Sequence, residues 1–267
     1  MKKAILMISF GTSHLNQKKE SIDPCINAVQ ETFKGWDIYE TFASSFLRKK
    51  LKDEQEMVLL SPEDLLEKLK VLGYQYVIIQ PLFLIEGIEY GKLIALANKY
   101  KKTFYIQVGQ TLLSNKEDYQ VLVQELIEEY GHRDTQLLIL GHGSTHEAHA
   151  SYKLLQQVIH EAGLKAVVTT LEDRDKIAIL PLKKGKVTLI PFMLVAGNHI
   201  LKDVLGEEEM SWKSGLTKLG YDLEVVTRGL GSYKSTSEIY IEHIRKAMEA
   251  LQIKRNFIRL KTASNII

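Results

Sequence analysis

The chain of 267 residues contains one cysteine, Cys25, and no apolar stretch long enough to cross a membrane. A lone cysteine excludes a disulfide within the chain and any site built from several thiolates, and it suits a reducing compartment. The longest apolar stretches, such as 77–85 and 187–197, span about ten residues, whereas a membrane helix needs about 20. These absences predict a cytoplasmic protein that does not interact with membranes.

An excess of charge of one sign is also missing. The 35 Lys and Arg residues nearly balance the 33 Asp and Glu residues, so the net charge is only +2. A dedicated nucleic-acid binder would carry a basic patch, and the chain also lacks the G-x-G-x-x-G and G-K-[S/T] patterns of nucleotide sites. We therefore predict no nucleic-acid partner and no nucleotide cofactor, and a homo-oligomer is compatible with this composition.

What the chain does contain is a repeat of two long units. The segment AILMISFGTSH (4–14) is similar to LLILGHGSTHEAH (137–149), and PLFLIEGIEYGKLI (81–94) is similar to PFMLVAGNHILKDV (191–204). The first pair shares an apolar segment and a turn of glycine and hydroxyl residues. The second pair shares a proline, four apolar residues, a turn around a glycine and an amphipathic segment. The common order of the two motifs indicates an internal duplication.

Apolar and amphipathic segments alternate along both halves, as in a doubly wound α/β fold with parallel strands. The predicted strands are 3–10, 37–43, 76–83, 103–108, 136–141, 165–171, 186–194 and 222–227. The predicted helices are 15–33, 61–72, 88–100, 115–130, 147–162, 200–206 and 236–251. We predict two similar α/β lobes, 1–130 and 131–235, with the metal site in the second. A C-terminal helix, 236–251, would pack on the first lobe, and an irregular basic tail would follow at 252–267.

Three chemically suitable side chains follow three predicted strands of the second half. His142 follows strand 136–141, Glu172 follows strand 165–171, and His199 follows strand 186–194. Ligands of such folds bind beyond the carboxyl ends of the strands, and two imidazoles with a carboxylate suit a borderline divalent metal ion. Each residue alone would more often be a structural histidine or a solvated acid. Their common position is what predicts a metal site.

The duplication assigns partners to these residues in the first half. Thr12 corresponds to His142 in the first motif. Glu89 corresponds to His199 in the second motif, because both lie eight residues after the proline of that motif. Glu89 is therefore predicted to face the same cleft from the first lobe. The turns that contain Thr12, Ser13 and Ser144 could bind ligand carboxylates through backbone N–H groups, although plain helix capping explains them equally well. Arg174 and Lys202 are weaker candidates for substrate carboxylates.

At these residues the sequence resembles the class II tetrapyrrole chelatases, and most closely the anaerobic sirohydrochlorin cobaltochelatases. The resemblance rests on SFGTS, LGHGSTHEA, the Glu after TTL, and PFMLVAGNHILKDV, and it spans roughly residues 2–250. It implies a chelatase-like fold of two similar lobes around a cleft. It also implies a metal site of His142, Glu172 and His199, with Glu89 in the same cleft and His142, Glu89 and Glu172 in catalytic roles. One departure is LEDRD, where a glycine would be expected soon after the Glu.

The resemblance implies insertion of Co²⁺, the substrate metal, into sirohydrochlorin without ATP, as a step of anaerobic cobalamin biosynthesis. The partner would then be a small-molecule tetrapyrrole. One alternative is a ferrochelatase that inserts Fe²⁺ into sirohydrochlorin or a porphyrin, because these ligands do not select one divalent metal. The other is a non-catalytic carrier that binds a metal or a tetrapyrrole and releases it.

Overall fold

The computed structural model describes residues 1–143, 150–197, 203–206 and 211–264, with side chains described as far as residue 251. Two four-stranded parallel sheets form its framework, with the strand orders β2-β1-β3-β4 and β6-β5-β7-β8. The two orders are identical when each sheet is numbered from its own first strand. The predicted fold class, two similar α/β lobes with parallel sheets, is confirmed.

The strands of the first sheet are β1 (Lys2–Ser9), β2 (Asp37–Phe42), β3 (Tyr74–Leu82) and β4 (Tyr105–Val108), and those of the second are β5 (Gln136–Gly141), β6 (Ala166–Thr170), β7 (Lys186–Phe192) and β8 (Asp222–Val225). The helices are α1 (Leu15–Ser21), α2 (Asp23–Thr32), α3 (Ser45–Gln55), α4 (Pro62–Val71), α5 (Ile88–Tyr100), α6 (Lys116–Tyr130), α7 (Ala150–Glu161), α8 (Trp212–Lys218) and α9 (Lys234–Ser264). Short 3₁₀ helices occupy Leu171–Ile179 and Leu230–Ser232.

Burial explains why the central strands are almost entirely apolar. The last six residues of β1 and of β7 are all buried, because helices cover both faces of a parallel sheet. In the first sheet, Leu6, Ile8 and Ile79 pack against Leu66 of α4 and Leu93 of α5. The core of the second sheet joins buried residues of β5 and β7 to α8, namely Leu138, Leu140, Val187, Leu189, Trp212 and Leu216.

Side-chain caps determine where several helices begin. Ser61 accepts a hydrogen bond from the backbone N–H of Asp64 at 3.0 Å, and Pro62 occupies the first turn of α4. Asn115 and Asp118 form a reciprocal capping box at the start of α6. Both helix starts agree with the predicted ones to within a residue.

The structure differs from the predicted elements at several points. The predicted helix 15–33 is broken at Ile22, because Pro24 lacks the N–H that would continue α1 into α2. The sequence predicts no helix in segment 44–57 or 212–218, where the structure has α3 and α8. The tail is not irregular, since α9 continues to Ser264 and residues 252–264 contain no glycine or proline to end it. The predicted helix 200–206 lies largely outside the described residues.

The chain divides into two compact units. Unit 1 comprises Met1–Ser13, Cys25–Leu112 and Ser237–Ile267, and unit 2 comprises His14–Pro24 and Leu113–Thr236. The expected lobe boundary at residue 130/131 thus falls inside unit 2. Throughout the described ranges, every helix is too short or too polar to span a membrane.

Candidate metal site

Three strands of unit 2 end at the same level of the sheet. Gly141 at the end of β5 pairs with Thr170 of β6 on one side and with Phe192 of β7 on the other. His142 therefore lies one residue beyond the sheet edge, and Glu172 lies two residues beyond it on the neighbouring strand. Both residues are exposed. The register brings these two predicted site residues to one edge, where a ligand can reach them.

Glu172 packs directly against the turn that carries His142. A Cβ atom added to Gly143 would lie 2.6 Å from the carboxyl carbon of Glu172, which is far inside van der Waals contact. Gly143 also has a φ of +92°, in the region that side chains other than glycine rarely adopt. Position 143 therefore requires glycine for two reasons. The backbone there has a positive φ, and the carboxyl group of Glu172 occupies the space that a side chain would need.

Thr170 and Asp173 fix the start of the segment that carries Glu172. The hydroxyl of Thr170 donates to Oδ2 of Asp173 at 2.8 Å, and Lys176 pairs with Oδ1 of the same residue at 2.6 Å. This local hydrogen bond ends β6 at Thr170 and begins the 3₁₀ helix, one residue before the predicted end of the strand. Arg174 donates to the carbonyl of Ser211 at 2.9 Å, so its guanidinium contributes to packing within unit 2.

Tyr152 of α7 lies on the inner side of the same turn, and no motif of the sequence points to it. Its side chain is 6% exposed, and a Cβ atom on Gly141 would lie 2.3 Å from a carbon of its ring. Burial raises the pKa of the hydroxyl, the backbone N–H groups of Gly143 and His142 oppose that shift, and the charge of Glu172 adds to it. In the sequence, Tyr152 is only an apolar position of an amphipathic helix.

His199 and Ser144 lie outside the described residues, but the segment that leads to His199 is anchored as far as Ala196. Leu230 donates its N–H to the carbonyl of Met193 at 2.8 Å, and Gly231 donates to Leu194 at 3.0 Å. Ala196 is buried in the core of unit 2. Among the described residues, no three His, Cys, Asp or Glu side chains come together as a metal site, so the predicted trio stays a prediction.

The predicted site residues of unit 1 lie in two places. Thr12 and Ser13 follow β1 and are each 7% exposed, and the carbonyl of Ser13 accepts a hydrogen bond from Gln55 at 2.9 Å. Glu89 lies in the first turn of α5, where its carboxylate pairs with Lys92 at 2.6 Å and its side chain is 32% exposed. Glu89 therefore remains accessible to a solute, whereas the side chains of Thr12 and Ser13 are largely enclosed.

Cys25 contributes to packing and not to this chemistry. Its thiol is fully buried in α2, and burial raises its pKa to about 11. A thiol with so high a pKa is neither a nucleophile nor a metal ligand at neutral pH.

The two parallel sheets define a two-lobed α/β protein, in which the carboxyl edge of one sheet carries an imidazole and a carboxylate. Comparison with family models gives a match to "Cobalt chelatase (CbiK)" over residues 3–249. The chain belongs to this cobalt chelatase family, and the resemblance inferred from the sequence motifs is confirmed.

Two relatives match over nearly their whole length. The sirohydrochlorin cobaltochelatase of Salmonella typhimurium is 31% identical over 256 residues, which cover 93% of this chain and 97% of the relative. The sirohydrochlorin cobaltochelatase CbiKC of Nitratidesulfovibrio vulgaris is 29% identical over 264 residues, which cover 94% and 92%.

Solved structures share the fold at lower identity. SirB from Bacillus subtilis with Fe³⁺ superposes with a TM-score of 0.63 at 13% identity, covering 92% of this chain and 96% of SirB. The sirohydrochlorin chelatase SirB from Bacillus subtilis subspecies spizizenii, in complex with cobalt, gives a TM-score of 0.62 at 12% identity, with 93% and 96% covered. At such identities the likeness defines the fold of this chain and not its metal.

Proposed function

We propose that this protein is a sirohydrochlorin cobaltochelatase, which inserts Co²⁺ into sirohydrochlorin without ATP during anaerobic cobalamin biosynthesis. The observation that carries the proposal is the similarity to two cobaltochelatases over more than nine-tenths of the chain. The packing of Glu172 against the turn of His142 supports it, because it provides two metal-binding groups at one sheet edge. The single buried cysteine suits a reaction in the cytoplasm.

Metal insertion requires protein groups with two tasks. Co²⁺ must lose water and be held only partly by the protein, so that it can be transferred to the ring. His142 and His199 offer neutral imidazole nitrogens for this purpose, and Glu172 supplies a carboxylate oxygen. The proposal thus keeps open positions on the metal for the macrocycle.

The second task is to remove the two pyrrole N–H protons that leave the ring as the metal enters. Glu89 is proposed to accept them one at a time and to release each to solvent, since it is an accessible carboxylate in the unit that does not contain His142 and Glu172. The substrate carries several carboxylates. The turns at Thr12, Ser13 and Ser144 are proposed to bind these carboxylates through backbone N–H groups. Burial of the Thr12 and Ser13 side chains is compatible with this role, because the side chains are not the proposed donors.

The experiment that tests this proposal mixes the purified protein with metal-free sirohydrochlorin and Co²⁺ and follows the change in absorbance. We expect many equivalents of product per protein, without ATP. A change that stops at one equivalent would indicate a carrier instead. A parallel reaction with Fe²⁺ that runs faster under the same conditions would indicate a ferrochelatase.

A further inference from the structure

Tyr152 is anchored at the point where β5 passes into the turn of His142. The ring lies so close to Gly141 that a Cβ atom there would come within 2.3 Å of a ring carbon. Only a glycine at the last position of β5 allows a ring to occupy this place, and the side chain is 6% exposed as a result. The hydroxyl group is thereby held beneath the turn and cannot move to another rotamer without leaving the core.

The hydroxyl of Tyr152 is in contact with the backbone of the turn itself. Backbone hydrogen bonds from Gly143 and His142 to this hydroxyl lower its pKa, against the rise that burial causes. Two consecutive N–H groups that converge on one acceptor determine the orientation of both peptide planes. They therefore determine the direction in which the side chain of His142 leaves the backbone.

Glu172 contacts the same turn from its other flank. Its carboxyl carbon lies 2.6 Å from the position that a Cβ atom on Gly143 would occupy. The hydroxyl of Tyr152 is near enough for the charge of Glu172 to act on it. Tyr152, the turn and Glu172 thus form one contiguous group, in which a shift of the turn would change the separation of His142 and Glu172.

We propose that Tyr152 is a positioning residue, whose hydroxyl fixes the turn at His142 and Gly143 so that His142 and Glu172 can hold the same Co²⁺ ion. The inference rests on the proposed function, because it takes these two residues as metal ligands. Residues that orient metal ligands without touching the metal typically change metal affinity by about 10–100-fold when they are removed. Tyr152 does not contact the metal in this proposal, so its loss would weaken cobalt binding and would not alter the chemical step directly.

The test is Tyr152→Phe, which keeps the ring beside Gly141 and removes only the hydroxyl. The matched control is Tyr130→Phe, because Tyr130 is also a buried tyrosine of unit 2, and its hydroxyl bonds to Tyr233 at 3.0 Å and not to the turn. Three quantities are measured for each protein: the Kd of Co²⁺ without tetrapyrrole, the visible spectrum of the bound Co²⁺, and kcat with KM for Co²⁺ and for sirohydrochlorin.

We expect Tyr152→Phe to raise the Kd and the KM for Co²⁺ by about 10-fold, to change the cobalt spectrum, and to leave the KM for sirohydrochlorin unchanged. Tyr130→Phe should lower the melting temperature about as much as Tyr152→Phe does. It should leave the Kd, the spectrum and the KM for Co²⁺ as in the wild type. A Kd for Co²⁺ in Tyr152→Phe equal to that of the wild type or of the control would overturn the positioning role.

The proposed function and the role of Tyr152 can fail separately. If the wild type binds Co²⁺ but forms no more than one equivalent of product, the proposed function is wrong. A weakened Kd in Tyr152→Phe would then still support the positioning role. If the wild type turns over and Tyr152→Phe keeps its Kd and its spectrum, the positioning role is wrong and the proposed function stands. A wild type that neither binds nor inserts Co²⁺ would overturn both.

Discussion

At the scale of single residues, glycine decides how closely the candidate ligands approach one another. Gly141 allows the ring of Tyr152 to reach the end of β5, and Gly143 allows the carboxylate of Glu172 to reach the next turn. The second contact includes Oε2 of Glu172, which lies 2.8 Å from the position of a Cβ atom on Gly143. The proposed metal site thus depends on the absence of two side chains as well as on the presence of His142 and Glu172.

Substituting Gly143 tests this dependence. Gly143→Ala places a methyl group 2.6 Å from the carboxyl carbon of Glu172 and strains a backbone with a φ of +92°. The control is Gly163→Ala, which has a φ of +73° and no atom within 4 Å of the new methyl group. Both should lower the free energy of unfolding by about 1–2 kcal/mol through backbone strain, as measured by urea unfolding. Only Gly143→Ala should also weaken cobalt binding. Equal cobalt affinities of the two variants would contradict a role of the Gly143–Glu172 contact in metal binding.

Removing the proposed ligands should have larger effects on turnover. We expect His142→Ala and His199→Ala each to lower turnover by about 100-fold or more, in the range typical of a group that takes part in the reaction. Glu172→Gln should keep its shape, lose its charge and bind Co²⁺ more weakly. His160→Ala, at an exposed position of α7, is the control and should behave as the wild type. Near-normal turnover of a histidine variant would remove that residue from the mechanism.

Glu89 should separate proton transfer from metal binding. Glu89→Gln removes the proposed proton acceptor and should slow turnover by about 100-fold or more, while the Kd of Co²⁺ without tetrapyrrole stays unchanged. Glu117→Gln changes another exposed carboxylate in the first turn of a helix and should leave both quantities unaltered. If Glu89→Gln instead lost cobalt binding and kept its turnover at saturating metal, Glu89 would be a metal ligand and not a base.

At the scale of elements, the start of α9 depends on a carboxylate of another helix. Glu125 of α6 accepts hydrogen bonds from the backbone N–H groups of Lys234 at 3.2 Å and Ser235 at 3.0 Å, and also from the Ser235 hydroxyl. These N–H groups belong to the first turn of α9, where they have no partner within the helix. The negative charge is also favourable at the positive end of the helix dipole.

Glu125→Ala should therefore destabilise the protein without affecting the chemistry. Loss of a side-chain cap at a helix start costs about 0.5–2 kcal/mol, so we expect a loss of about 1–2 kcal/mol in the free energy of unfolding. Glu128→Ala removes a carboxylate of the same helix that pairs only with Gln124 among the contacts described, and it should change stability by less than about 0.5 kcal/mol. Equal thermal melting curves for the two variants would argue against the cap.

At the scale of the whole molecule, unit 1 is completed by the C-terminal part of the chain. The hydroxyl of Tyr240 donates to the carbonyl of Phe83 at 3.2 Å, and α9 contributes five buried apolar side chains to unit 1, namely Ile239, Tyr240, Ile244, Ala247 and Leu251. Burial of a large apolar side chain is worth about 1.5–3 kcal/mol, and a whole domain is stable by only about 5–15 kcal/mol. Unit 1 should therefore not fold without this helix.

Two truncations test this requirement. A chain that ends at Thr236 should lose cooperative unfolding, as followed by circular dichroism during heating, because unit 1 then lacks α9. A chain that ends at Leu251 keeps all five buried side chains and should retain the melting temperature and the turnover of the full chain. Cooperative melting of the shorter chain at the same temperature would contradict the assignment of α9 to the core of unit 1.

The sequence by itself determined the elements that depend on local signals. Continuous apolar segments predicted the buried strands, Ser61 with Pro62 predicted the start of α4, and the repeated motifs predicted two α/β lobes. It also placed His142 and Glu172 just beyond predicted strands, because strand ends coincide with the change from apolar residues to glycine and polar residues. Where the local signal was weak, as in α3 and α8, no element was predicted.

Only the tertiary structure decided which distant residues meet. The contact of Glu172 with Gly143 and that of Tyr152 with Gly141 join segments 11 to 29 residues apart, and no local preference of the chain encodes such pairs. The same holds for the composition of the units, since α6 packs in unit 2 and most of α9 in unit 1. The physical reason is that hydrophobic burial is non-directional, so the sequence specifies which face of a helix is buried and not which sheet covers it.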